Sequence, residues 1–165
     1  MALWPAAAVI AALFLLFAPS VALRGGLTPV GSEAVSGFYG WETGADGVRF
    51  RWGREYASLF VPAAVRRVEI PVRAPMAGPL TEPVSIEITS GGATVGRAYV
   101  TSAWSTVALD VIPPAPPVAF GRVNIRSNRL SRPMLFTAGS ADARVVGVQV
   151  GEYRAVEPAD ARRIR

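Results

Sequence analysis

From residue 48 onward, short stretches of this chain place an apolar side chain at every second position and then break at glycine or proline. A strand has a side-chain period of two, so each stretch shows one face to a core and the other to water. Val48, Phe50 and Trp52 alternate with Arg49 and Arg51; Val68, Ile70 and Val72 alternate with Arg67, Glu69 and Pro71; Val84, Ile86 and Ile88 alternate with Ser85, Glu87 and Thr89. Segments 56–61, 93–100, 104–111, 122–126 and 145–153 follow the same rule, with Val107, Leu109 and Val111, and Val123 with Ile125, turned inward. No stretch after residue 30 has the spacing of an amphipathic helix. Asp46-Gly47 and Ser90-Gly91-Gly92 read as tight turns, and 113–117 as a stiff extended connector. Pro71 predicts an edge strand or a strand end. About eight strands joined in this way imply an all-β fold, an antiparallel β-sandwich of jelly-roll-like type, with a closed barrel as the alternative.

Segment 1–23 carries no charged side chain, and residues 6–18 form an unbroken apolar run between Pro5 and Pro19. It reads as one hydrophobic helix, either a signal peptide ending near Ser20-Val21-Ala22 or a single membrane anchor. Residues 24–36 form a linker, 37–156 the sandwich domain and 157–165 a basic tail.

The chain has no Cys and no His. Thiol catalysis, imidazole acid–base chemistry and zinc or iron–sulfur sites built on these ligands are excluded together. Net charge is +5, and all 17 basic residues are Arg. They are scattered along the strands, so the charge does not mark a nucleic-acid surface. Glu42, Glu55, Glu69, Glu87 and Asp110 are the possible glycosidase acids, and no spacing selects a pair. Phosphate-binding glycine loops are absent. The chain is therefore read as a non-enzyme, with no catalytic residue, no metal site and no cofactor.

Between residues 36 and 62 the chain gathers Phe38, Tyr39, Trp41, Phe50, Trp52, Tyr56 and Phe60. Phe50, Trp52, Phe60 and Trp104 are expected in the core, where aromatics contribute the largest apolar area. Segment 37–42 lacks alternation and precedes the first regular strand. Tyr39 and Trp41 are candidate flat platforms for a sugar, with Glu42, Arg51 and Arg54 as hydroxyl partners; sealing one end of the core is the competing reading. The 127–144 loop, with Asn128, Arg129, Arg132 and Pro133, is a second candidate rim. Within it Asp142 is expected either to pair with an arginine (Arg144, Arg126 or Arg129) or to brace a turn.

The order Gly37-Phe38-Tyr39 with Glu42, then Phe50-Arg51-Trp52, Leu59-Phe60-Val61-Pro62, Trp104 and Asp142-Ala143-Arg144-Val145-Val146-Gly147-Val148 resembles a β-sandwich module. That module follows the last membrane helix of some bacterial membrane glycosyltransferases of the dolichyl-phosphate-mannose protein mannosyltransferase type, which use polyprenyl-phosphate sugars. The resemblance spans 35–154 and implies a jelly-roll-like fold on the non-cytoplasmic side with a sugar-binding role. It does not imply transferase activity, because the multi-span catalytic portion has no counterpart here; 1–23 would match the final membrane helix, leaving a stand-alone or truncated accessory module. The expected function is a membrane-tethered or exported carbohydrate-binding-like module of the bacterial envelope. Its expected partners are a glycan or lipid-linked sugar, a membrane glycosyltransferase and, through the N-terminal helix, the membrane, with no nucleic acid. The alternative is a structural or protein-interaction sandwich of the envelope with no small ligand.

Overall fold

The computed structural model describes residues 36–77 and 83–156; the hydrophobic segment 1–23, nearly all of the linker and the basic tail lie outside the described residues. The alternating stretches become strands of two antiparallel sheets. In chain order they are β1 (Phe38–Thr43), β2 (Arg49–Gly53), β3 (Tyr56–Pro62), β4 (Arg67–Arg73), β5 (Val84–Ser90), β6 (Ala93–Val100), β7 (Ser105–Asp110), β8 (Phe120–Ser127), β9 (Gln149–Gly151) and β10 (Arg154–Val156). The larger sheet runs β1-β2-β9-β4, with β10 also paired to β4 and β7 on β4 as well; the smaller runs β3-β8-β5-β6. The described residues are thus all-β apart from one short 3₁₀ turn, and the two sheets make a sandwich. The strands beyond those expected are β1, whose glycines hide its periodicity, and β10, which begins just after the last expected strand, 145–153, of which Gln149–Gly151 forms β9.

Val68, Ile70 and Val72 of β4 meet Val84, Ile86 and Ile88 of β5 and Val123 and Ile125 of β8, each 2% exposed or less. In β4, β5 and β8 the inward positions read from the sequence are those found inside. The β5–β6 hairpin turns on Gly91 (φ 57°) and Gly92 (φ 84°), the pair of positive angles that a type I′ turn requires.

Pro71 corrects its expectation. It lies in β4, which has neighbours on both flanks. The Val111 amide donates to the Arg66 carbonyl, so even-numbered residues of β4 aim their backbone groups at β7. Pro71 therefore faces the other flank, where the ladder is interrupted between Val72↔Val150 and Glu69↔Arg154. The missing donor sits where the partner strand breaks into β9 and β10, the bulge setting that tolerates proline.

A second correction concerns β2. Its alternation is real, but the faces are reversed. Arg51 pairs with Val150, and Val150 with Val72, so Arg51 lies on the inter-sheet side, its guanidinium 4.2 Å from the Phe38 ring centre. Phe50 and Trp52 point away from the main core. They are nonetheless buried, at 5% and 4% exposure, in a separate cluster with Val146. The β8–β9 loop roofs this cluster: Phe136 packs on Trp52 with ring centres 6.1 Å apart, and Ser131 and Val146 form an isolated β-bridge. Trp104 is half-buried at the rim of the same cluster, and Phe60 is half-buried in β3.

Truncation should separate the two cores. Ile88→Ala and Trp52→Ala should each cost about 2–5 kcal/mol in denaturant unfolding. Only Trp52→Ala should also open the β8–β9 loop to tryptic cleavage at Arg129 or Arg144 under native conditions, read by limited proteolysis and mass spectrometry.

Candidate functional site

Apart from Gly37, segment 37–42 lies in β1 (Phe38–Thr43) and is not a loop ahead of the first strand, and its pairing decides what its aromatics can do. Phe38 pairs with Gly53 and Trp41 with Arg51, so β1 carries one extra residue between them. This bulge turns neighbouring side chains to opposite faces. Tyr39 joins the Phe50–Trp52 cluster, and its hydroxyl donates to the Val145 carbonyl at 3.0 Å. Trp41 faces the inter-sheet side with Arg51. The two rings do not share a platform.

Their faces are also occupied. Arg49 and Arg51 lie 4.5 and 4.6 Å from the Trp41 ring centre, and Arg54 and Arg144 lie 4.9 and 5.0 Å from that of Tyr39. Planar guanidinium stacks well on an aromatic face. Glu42 lines a cavity of about 410 Å³ over the outer face of the larger sheet with Phe50, Trp52, Arg73, Asp142 and Gln149. Arg51 and Arg54 serve the stacks instead.

The cavity's charges are tied to one another. Arg144 bridges Glu42 at 2.8 Å and Asp142 at 2.6 Å, and the Arg144 amide also donates to Asp142 at 3.0 Å. Asp142 thus both pairs with an arginine and braces a turn. Arg73 bonds Gln149, reaches Asp46 at 2.8 Å and lies 4.6 Å from the Trp104 ring centre. The Trp104 indole N–H, 3.0 Å from Asp46, is the main influence holding that carboxyl below its usual range, with the Val48 amide and Arg73 acting in the same direction. The Arg144 guanidinium does the same for Asp142 and is itself pushed up by that bond. A carboxyl held ionised in this way is a poor general acid near neutral pH. Among the described residues no cluster of three or more His, Cys, Asp or Glu is placed to hold a metal ion.

The open face lies on the other sheet. Strand order β3-β8-β5-β6 brings outward side chains into rows. Tyr56, Arg126, Glu87 and Arg97 stand abreast, as do Ser58, Asn124, Thr89 and Thr94, while Ser85 is opposite Tyr99. The second row is wired together. Arg122 Nε donates to Ser58 Oγ at 2.9 Å, Ser58 Oγ to Asn124 Oδ1 at 2.9 Å, and Asn124 Nδ2 to Thr89 Oγ1 at 3.2 Å. Thr94 and Arg97 hold Glu87, at 2.9 and 3.4 Å. Two shallow hollows of about 450 and 390 Å³ share Glu87 and Arg126 and make one groove across the sheet. Tyr56, 57% exposed, and Tyr99, 79% exposed, stand at its two sides. Arg126 lies 5.5 Å from the Tyr56 ring centre. The sequence marks Ser85, Glu87 and Thr89 as outward-facing, but no single stretch shows that four strands pool their outward positions here.

No family model matches the chain, and no curated protein matches it. Among solved structures it is similar to a family 6 carbohydrate-binding module from Clostridium cellulolyticum in complex with xylose, at 15% identity and TM-score 0.39, over 74% of this chain and 88% of that one. It is also similar to a variant of a family 29 carbohydrate-binding module, at 11% identity and TM-score 0.37, over 72% and 78% of the two chains. A CBM4 structure aligns at 9% identity and TM-score 0.36, over 75% and 80%. Likeness at this level establishes neither a common family nor a common ligand, and none of the three brings in the membrane-transferase setting.

The depressed carboxyls fix a pH dependence. Asp46 and Asp142 bind protons less readily folded than unfolded, so their stabilisation is present above the unfolded value, ordinarily 3.8. It is lost as pH falls through the lower folded values. Thermal melts from neutral pH down to about pH 3 should show stability beginning to fall in acid. The double variant Asp46→Asn, Asp142→Asn should melt lower than the parent at neutral pH and show a shallower acid limb.

Proposed function

We propose that the outer face of the smaller sheet binds a glycan and that this chain is a non-catalytic binding module of the bacterial envelope, tethered or exported through residues 1–23. The observation that carries the reading is the pair of exposed rings, Tyr56 and Tyr99, on either side of a hydrogen-bonded polar ladder. A sugar ring offers apolar C–H faces and a rim of hydroxyls. Flat aromatic surfaces suit the first, and fixed donors and acceptors suit the second. The ladder residues sit on paired strands and brace one another, which lowers the ordering cost of binding. Arg97, Arg122 and Arg126 outnumber Glu87 in the groove, so a glycan carrying carboxylate or phosphate fits it better than a neutral one.

A glycan array probed with residues 27–165, which contain both described cores, tests this. Tyr56→Ala and Tyr99→Ala should each weaken binding about tenfold, equivalent to about 1.4 kcal/mol. Because both rings are exposed, the melting temperature should stay unchanged. Trp41→Ala, by contrast, should lower the melting temperature and leave affinity intact. If the parent retains no glycan, the reading gives way to a protein-interaction sandwich of the envelope.

A further inference from the structure

We propose that the β8–β9 loop is a docking surface for an anionic lipid bilayer. The inference is independent of the glycan reading and rests on the tethering of residues 1–23 proposed above. Four apolar side chains of this loop are left in water: Leu135 is 73% exposed, Met134 46%, Val145 43% and Leu130 39%. They are not on a floppy tip. Pro133–Leu135 is a 3₁₀ turn whose Pro133 is buried, the Met134 amide donates to the Asp142 carbonyl at 3.0 Å, and Ser131 and Val146 exchange two backbone bonds of 2.8 Å. Phe136 and Val146 anchor the underside in the Phe50–Trp52 cluster. Exposed apolar side chains on one hydrogen-bonded loop mark an interaction surface.

The occupant follows from charge and position. Segment 128–141 contains Arg129 and Arg132 and no acidic residue. Apolar side chains beside arginines suit an interface of acyl chains and anionic headgroups. Both roots of the loop meet the start of the described chain at the β2–β3 turn. The Gly147 amide donates to the Gly53 carbonyl at 2.7 Å, the Ser127 amide to Glu55 at 3.0 Å and the Arg54 amide to Gly37 at 2.9 Å. In sequence, the uncharged 1–23 segment precedes this point by the linker 24–36, roughly 40 Å when fully extended. A bilayer holding that segment has this end of the sandwich within reach.

The chain has no cysteine, so one introduced thiol reports one position. Leu135→Cys and, on the β5–β6 hairpin, Ala93→Cys would each carry an environment-sensitive fluorophore in the full chain. Each is mixed with vesicles of phosphatidylglycerol and phosphatidylcholine containing a doxyl-lipid quencher. Position 135 should shift to the blue and lose at least half its emission, position 93 should not change, and Leu130→Ser with Met134→Ser should reduce the effect severalfold. Pure phosphatidylcholine vesicles should give a severalfold smaller shift. The proposal is overturned if position 135 behaves as position 93 does, even when the chain sediments with the vesicles, because the N-terminal segment would then carry all binding. An equal shift with both lipid mixtures overturns the anionic requirement.

Discussion

The larger sheet has two apolar faces to hide, and much of the molecule follows from that. Its inner face is covered by the smaller sheet. Its outer face presents Phe50 and Trp52, and nothing in a two-layer sandwich covers that side. The β8–β9 loop meets this need, which is why it is long and why Val146 is fully buried within an otherwise irregular stretch. Once the loop is committed there, the outer face of the smaller sheet is left open. The division between a closed face and an open face thus originates in two aromatic residues of β2.

The exclusive use of arginine shapes the closed side. Guanidinium is planar and weakly hydrated, so it lies flat against a ring while keeping its edge for carboxylates. Arg73 does both, over Trp104 and against Asp46, and Arg144 does both, over Tyr39 and against Glu42 and Asp142. Each contact is modest, about 0.5–1 kcal/mol at exposed sites. With Arg49 and Arg51 on Trp41 and Arg54 on Tyr39, they cover the aromatic rings of β1. A lysine, with its compact and strongly hydrated charge, would not cover the same rings.

The strands and their inward residues were legible because period-two alternation is local: Ile70, Ile86 and Val123 are buried as their spacing requires. Three things were not local. The bulge that sends Tyr39 and Trp41 to opposite faces depends on how β1 pairs with β2. The reversal of Phe50 and Trp52 depends on a loop about ninety residues downstream supplying a second core, since alternation shows that one face is covered but not by what. The groove on the smaller sheet depends on strand order, because Tyr56 and Tyr99 are separated in sequence and brought to one face by β8 and β5 between them. Composition carries no trace of such adjacency.

The parallel course of the outermost described segments has a mechanical consequence. The described chain begins beside Gly53, where β2 ends, and finishes at Val156 opposite Arg67, where β4 begins. Strands β1 and β9–β10 run in the same direction, so these two points lie at opposite ends of the sandwich. Tension applied between them loads the β1–β2, β2–β9 and β4–β10 ladders lengthwise, in shear. Hydrogen bonds in that geometry resist together instead of opening one after another as in a zipper. Force between these two points therefore runs along the strands and not across them.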